Sequence, residues 1–259
     1  MNVLYNISKF DAPFPKNGKI VSLVPSQTEL LFDLGLSNNI VGVTKFCIHP
    51  FAARKKMAIG GTKKVDADLI ISLKPDLIIG NKEENEREFM QNLAQRCCVF
   101  MSDIFTLDDS LEMIRRVGVL TDTSAKAQQI IAKIDAEFDK IDQNRPDFGL
   151  KTCLYLIWRK PYMAAASDTF IDDMLRRAGF KNAVADLSRY PELTIEQIAA
   201  RKPDTIFLSS EPFPFKEKHI YELQRACPNA KIQIVDGELF SWYGSRLQYA
   251  PVYFNGLTF

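Results

Sequence analysis

Lys-Pro-Asp stands twice in this chain, at 74–76 and at 202–204, and the same order of elements surrounds each copy. A short apolar helix precedes it, a buried strand follows, and a polar loop comes after the strand, as in LIISLKPDLIIGNKEEN (69–85) and QIAARKPDTIFLSSEP (197–212). Proline disfavours helical geometry in the residue before it, so it closes the helix. The apolar runs at 77–79 and 205–208 suit parallel strands covered on both faces. A weaker pair accompanies this one. LLFDLGLSNNIVGV (30–43) and DMLRRAGFKNAVA (173–185) each read as a helix stopped by glycine, Gly35 or Gly179, with an Asn-containing turn beyond it. An internal repeat of this kind predicts two lobes of similar architecture.

Between the copies runs TDTSAKAQQIIAKIDAEFDKIDQN, residues 121–144. Ala127, Ile130, Ile131, Ile134, Phe138 and Ile141 recur at three- and four-residue steps, so they line one helical face. Thr121, Asp122 and Thr123 offer N-cap oxygens, and Pro146 closes the far end. At about 1.5 Å per residue, some twenty residues span roughly 30 Å, the width of a small domain. The division expected is therefore an N-terminal lobe over 1–120, a connecting helix over 121–145 and a C-terminal lobe over 146–259.

Within the first lobe, strands are expected at 19–24, 40–44 and 98–101, after a polar lead-in at 3–17. Helices are expected at 29–34, 66–73, 86–95 and 107–120. Ser26 is positioned to N-cap the first of these, with Glu29 as its capping-box partner. The second lobe repeats the alternation. Its strands fall at 152–157, 205–209 and 231–235, and its helices at 170–178, 195–200, 218–226 and 250–257. Strand and helix alternating twice over imply an α/β fold of two Rossmann-like lobes with mostly parallel sheets.

In such sheets ligands bind beyond the carboxyl ends of the strands. The loops there collect Phe46, His49, Trp158, Tyr162, Tyr190, Phe240, Trp242 and Tyr243, with Lys45, Lys63, Lys82, Arg159 and Arg246 close in sequence. Aromatic faces beside cations describe a site for a large flat or partly anionic molecule. Gly60 and Gly61 before a helix read as a tight turn rather than an anion cradle, because the rest of a phosphate-binding loop is missing.

Other chemistry is poorly supported. There is no G-x-S-x-G, H-E-x-x-H or C-x-x-C, and only two histidines occur, so a protein-built zinc site is not expected. Cys47 and His49 would point to opposite sides of an extended segment, which argues against a nucleophile pair and leaves His49 structural. A net charge of +1 gives no bulk attraction to nucleic acid or to an acidic membrane. No run of eighteen apolar residues occurs, and the first residues lack the pattern of a secretory signal. Five cysteines, with Cys97 beside Cys98, do not form a disulfide framework. If Met1 is the native start, these features favour a reducing compartment.

Val21-Ser22-Leu23-Val24-Pro25-Ser26-Gln27-Thr28-Glu29-Leu30, then 69–79, and in the second lobe 168–175 and 178–182, resemble the class III substrate-binding proteins of ABC importers. These are the cobalamin and ferric-siderophore binders, or helical-backbone metal receptors, and the similarity is greatest to the cobalamin-binding branch. It runs in order from Lys19 over nearly the whole chain. The resemblance implies a binding protein and not an enzyme, without a cofactor of its own. A metal chelate (cobalamin or another corrinoid, a siderophore or haem) would lie in a cleft between lobes joined by a rigid helix. It also implies an extracytoplasmic, monomeric component that partners an ABC permease dimer and no nucleic acid.

Carried over residue by residue, the resemblance assigns ligand contact to Phe46, Tyr162, Tyr190 and the turn Glu238, Leu239, Phe240, Ser241 and Trp242. Their place in the aromatic and cationic loops beyond the strand ends adds Trp158 and Arg246. Asp68 and Glu196, in equivalent places of the repeat, match the carboxylates that dock onto permease arginines. Thr62 and Asn81 stand where the cobalamin binder carries Trp. Two other readings remain open: an intracellular carrier or sensor of a similar ligand, and an enzyme acting on a chelate with His49 as its titratable group.

Overall fold

The structure, a computed structural model, describes residues 3–5, 14–61, 65–144 and 150–257. Thr62, Lys63 and Pro146 lie outside the described residues. The chain forms two compact units. One takes Met1–Ile104, Asp108–Ile134 and Tyr243–Arg246; the other takes Phe105–Leu107, Asp135–Trp242 and Leu247–Phe259.

The first unit is built on a five-stranded sheet. In chain order it contains β1 (Val3–Tyr5), β2 (Ile20–Ser22), α1 (Pro25–Asp33), β3 (Ile40–Val43), α2 (Ala67–Ser72), β4 (Leu77–Asn81), α3 (Arg87–Ala94), β5 (Val99–Ser102) and α4 (Leu107–Leu120). The strand order is β1-β5-β4-β2-β3. All neighbours run parallel except β1, which pairs antiparallel with β5. Both faces are covered. Val21, Ile78, Val99 and Met101 pack with Ile70, Met90 and Leu93 of α2 and α3. Ile20, Ile79 and Phe100, which alternate with them, are equally buried on the opposite face.

Helix α5 (Ser124–Asn144) follows α4 after a break at Thr121–Thr123. Asp122 adopts a left-handed φ of 54°, and the Thr121 hydroxyl donates to the Val117 carbonyl at 2.7 Å, which ends α4. The expected apolar face of α5 is buried at Ala127, Ile131, Ile134, Phe138 and Ile141. The two units meet in sequence within this helix, at Ile134 and Asp135.

The second unit comprises β6 (Lys151–Trp158), β7 (Tyr162–Ala164), α6 (Phe170–Arg177), β8 (Phe180–Asn182), β9 (Glu192–Leu193), α7 (Ile195–Ala200), β10 (Thr205–Ser209), α8 (Glu217–Ala226), β11 (Lys231–Val235), α9 (Glu238–Ser241) and α10 (Ala250–Asn255). Its sheet runs β11-β10-β6-β7-β9. β11, β10 and β6 are parallel, whereas β7 is antiparallel to both β6 and β9. β6 pairs with β8 through its first half and with β7 through its second. Leu154, Leu156, Ile206 and Leu208 pack on Ile198 and Leu223 of α7 and α8. The other face carries an aromatic core in which Phe207 meets Phe180 at 5.0 Å and Tyr155 at 6.4 Å between ring centroids.

The repeated Lys-Pro-Asp has one structural meaning in both units. Lys74 and Lys202 take left-handed φ angles of 51° and 47°, which stop α2 and α7. The aspartate that follows then ties the incoming strand to the first parallel strand of its own sheet. Asp76 Oδ2 accepts from the Lys19 amide at 2.7 Å, and Asp204 Oδ2 accepts from the Thr152 amide at 2.8 Å. The glycines of the weaker pair also correspond, with φ of 84° at Gly35 and 88° at Gly179.

One local expectation is corrected. α1 begins on Pro25, one residue ahead of Ser26, and its N-cap Val24 contributes no side-chain bond. Proline's fixed φ suits the first helical turn, so Ser26 and Glu29 are not a cap and its capping-box partner. Thr28 instead donates back to the Val24 carbonyl at 3.0 Å.

Candidate functional site

In the first unit the strand ends are stitched by a buried polar network. Thr28 Oγ1 lies 2.8 Å from Ser22 Oγ and 3.1 Å from Cys47 Sγ, which also meets Thr44 Oγ1 at 3.2 Å. Burial pushes the Cys47 thiol up, against these hydrogen bonds, so it stays protonated and structural. Gln27 Nε2 donates to Ser102 Oγ at 2.6 Å. Asn81 is buried at the end of β4 and donates to the Tyr243 hydroxyl, while its amide donates to Asn85 Oδ1 at 2.9 Å.

Tyr243 brings a four-residue segment of the late chain into this unit. Gly244, with φ of 115°, donates its amide to Ser110 Oγ at 3.2 Å, and a Cβ there would stand 3.3 Å from the Ser26 carbonyl oxygen. Arg246 then makes two bonds of 2.8 Å to the two carboxylate oxygens of Glu29. Burial pushes the Glu29 carboxyl up, with Arg246 opposing. Arg246, a candidate ligand contact, thus also anchors the late segment to α1.

Phe46 presents itself differently. It follows β3, is 50% exposed, and carries the Lys45 ammonium 5.1 Å from its ring centroid. The same loop walls a depression of about 410 Å³ lined by Lys45, Cys47, Ile48, Arg54 and Lys56 among others. The aligned cations Arg54, Lys55 and Lys56 were visible in the sequence as a run, but only the 3₁₀ turn Phe51–Lys55 folds Arg54 back toward Lys45.

In the second unit, Trp158 ends β6 at 39% exposure, with its ring 5.6 Å from Phe213. Beside it Arg159 grips Glu222 at 2.6 Å and 3.1 Å. The Tyr162 hydroxyl is shut from solvent next to this pair without a hydrogen bond of regular geometry. Burial first, and then Glu222, push its phenol up to about 12. Tyr190 is half-buried, and the Arg189 guanidinium lies 5.5 Å from its ring centroid and 5.6 Å from that of Phe105.

The turn after β11 divides its roles. Ser241 Oγ and Trp242 Nε1 both donate to Glu211 Oε1 at 2.8 Å, a carboxylate the sequence reading did not single out. Burial pushes Glu211 up, and neighbouring Glu238 and Asp236 add to the effect against the two donors. Glu238 and Leu239 are half-buried on α9. Phe240 is fully buried, 4.7 Å from Phe254 and 5.1 Å from Tyr155 between centroids, so its ring belongs to the core. Ser241, Trp242 and Glu211 thus form one cluster, and Trp158, Arg159 and Tyr162 another.

Asp68 and Glu196 are each the second residue of a six-residue helix, and both are exposed. The helices are capped alike: Asp66 accepts from the Leu69 amide at 2.9 Å, and Thr194 forms a capping box with Gln197. Among the described residues no three His, Cys, Asp or Glu side chains are grouped to hold a metal ion, and no helix is long and apolar enough to cross a membrane.

The family model described as periplasmic binding protein matches residues 20–237. The chain belongs to this family. Among curated relatives, the chain is 26% identical over 239 residues to an uncharacterized ABC transporter substrate-binding lipoprotein, YvrC, of Bacillus subtilis, covering 88% of this chain and 76% of that one. It is 23% identical over 193 residues to a vitamin B12-binding protein of Vibrio parahaemolyticus, covering 74% and 70%. Among solved structures, the periplasmic haem-binding protein RhuT of Roseiflexus sp. superposes with a TM-score of 0.78 at 24% identity, covering 92% of this chain and 98% of that one. The α/β fold with one long helix shared by two units is therefore that of periplasmic binding proteins, whose relatives here are binding proteins rather than enzymes.

Proposed function

We propose that this periplasmic binding protein captures a metal chelate, a corrinoid first and a siderophore or haem second, for import by an ABC permease. The reading rests on one observation above the rest: exposed aromatic faces stand at the carboxyl ends of parallel strands in both units, Phe46 after β3 and Trp158 at the end of β6. Vitamin B12 binding by a relative and haem binding by a structure of the same fold agree with a flat metal chelate as cargo. The candidate ligand contacts are Phe46 in the first unit and, in the second, exposed Trp158 and half-buried Tyr190 together with Tyr162 and Trp242, of which 8% and 7% stay accessible. Phe240 supports the 238–242 turn from beneath. Asp68 and Glu196 are the docking carboxylates, one per unit, in equivalent positions of the repeat.

Charge reversal tests the coupling to a permease. Asp68→Lys with Glu196→Lys should leave chelate affinity unchanged while abolishing uptake by cells that depend on this protein. Unchanged uptake would favour a carrier or sensor that hands its ligand to another protein.

A further inference from the structure

The loop after β3 and the turn that follows it carry four cationic side chains. Lys45, Arg54, Lys55 and Lys56 fall within twelve residues, and among the described residues none of them pairs with a carboxylate. Their contacts are of other kinds. Lys45 lies over Phe46, and Arg54 and Lys55 each lie 5.8 Å from the centroid of Phe51, which is 69% exposed. Arg54 Nε donates to the Ile48 carbonyl at 3.3 Å, and Lys56 donates to the Ser37 carbonyl at 2.5 Å.

Three of these residues, Lys45, Arg54 and Lys56, are among those that line the depression of about 410 Å³, and among the described residues they are its only charged lining. A concave surface lined by one sign of charge concentrates its field and draws in the opposite charge. The two Nη groups of Arg54 suit bidentate recognition of a carboxylate or phosphate, and Lys45 adds a point charge. The volume is small for a whole tetrapyrrole or corrinoid and ample for the anionic groups at its edge.

We infer that this depression is an anion site, and that the chelate carries carboxylate or phosphate groups which enter it while its flat body covers Phe46. The inference deepens the proposed function and rests on it. It makes the chelate's negative charge, more than its metal, the feature selected by the first unit.

Matched chelates test this by absorbance or fluorescence titration. Haem is compared with haem dimethyl ester, and a trianionic ferric tris-catecholate with an uncharged ferric tris-hydroxamate. Citrate alone, at low ionic strength, serves as a metal-free anion. The anionic member of each pair that binds should do so at least tenfold more tightly, and the advantage should shrink with added salt. In Lys45→Gln with Arg54→Gln the advantage should vanish while the uncharged member binds as before. Equal binding of charged and uncharged members in the wild type overturns the anion site but leaves chelate capture standing, and needs no variant to read. If no chelate binds, chelate capture fails. The anion site then stands only on a salt-sensitive stabilisation by citrate that the double variant loses, and the absence of that stabilisation overturns it as well.

Discussion

Arg246 holds Glu29 through two parallel hydrogen bonds of 2.8 Å, joining the late segment of the chain to the first helix across 217 residues of sequence. Each side chain is 14% exposed. Desolvation of the carboxylate is the dominant influence on Glu29, and the guanidinium offsets part of it. Removing one partner of such a pair leaves the other charge poorly solvated and costs more than the pair contributes. Arg246→Ala should destabilise the protein by about 3 kcal/mol. The loss should deepen from pH 4 to pH 8 as Glu29 ionises without its partner. Denaturant melts at both pH values check this; a loss below about 0.5 kcal/mol, the ordinary range for surface changes, would contradict it.

Phe240 and Trp158 should behave as opposites. Phe240 is packed against Tyr155, Phe207 and Phe254, so Phe240→Ala should cost about 3–5 kcal/mol of stability. Trp158 is 39% exposed, so Trp158→Ala should change stability little and weaken chelate binding by more than about 1 kcal/mol. Paired thermal melts and titrations separate the two effects. A stable Phe240→Ala variant would remove that ring from the core.

Glu211 gives a pH dependence of known sign. Its carboxyl is raised by burial, so the folded protein binds the proton more tightly than the unfolded chain does. The stability this adds is present below the unfolded pKa of about 4.3 and is lost as pH rises through the higher folded value. Glu211→Gln keeps an oxygen for Ser241 Oγ and Trp242 Nε1 but cannot ionise. The variant should therefore gain stability on the wild type between pH 4 and pH 8. Parallel stability profiles over that range would show that Glu211 does not titrate there.

Asp76 and Asp204 carry the repeat, and their loss should be felt separately in each unit. Asp204 accepts from both the amide and the hydroxyl of Thr152, at 2.8 Å and 2.7 Å, whereas Asp76 accepts from the Lys19 amide at 2.7 Å. Asp204→Ala should cost about 1–2 kcal/mol and Asp76→Ala about 1 kcal/mol. Hydrogen exchange should localise each loss to the strand entering its own sheet. Protection lost uniformly over the chain would contradict this assignment.

Much of the architecture was legible because it repeats. Lys-Pro-Asp marked the same helix stop and strand entry twice, and the apolar spacing of α5 chose the face that is buried. The strands β1, β7, β8 and β9 went unread, since two or three residues are too few for alternation to register. At the candidate site, Phe46 and Trp158 are exposed at strand ends, where the order of elements put them. Phe240 was not separable from its neighbours, because the four residues of α9 turn adjacent side chains in different directions. The partners of Arg246 and Trp242 lie 217 and 31 residues away, and tertiary packing alone joins them.

Capture of a metal chelate is tested most directly by one equilibrium titration, in which the purified protein is followed by absorbance and thermal stability against cyanocobalamin, cobinamide, haem and ferric siderophores. The account predicts saturable binding of at least one, with a rise in melting temperature, because a ligand that binds only the folded state stabilises it. It predicts further that Phe46→Ala and Trp242→Ala weaken that binding. Silence across the whole series, or a bound chelate indifferent to both substitutions, would contradict it.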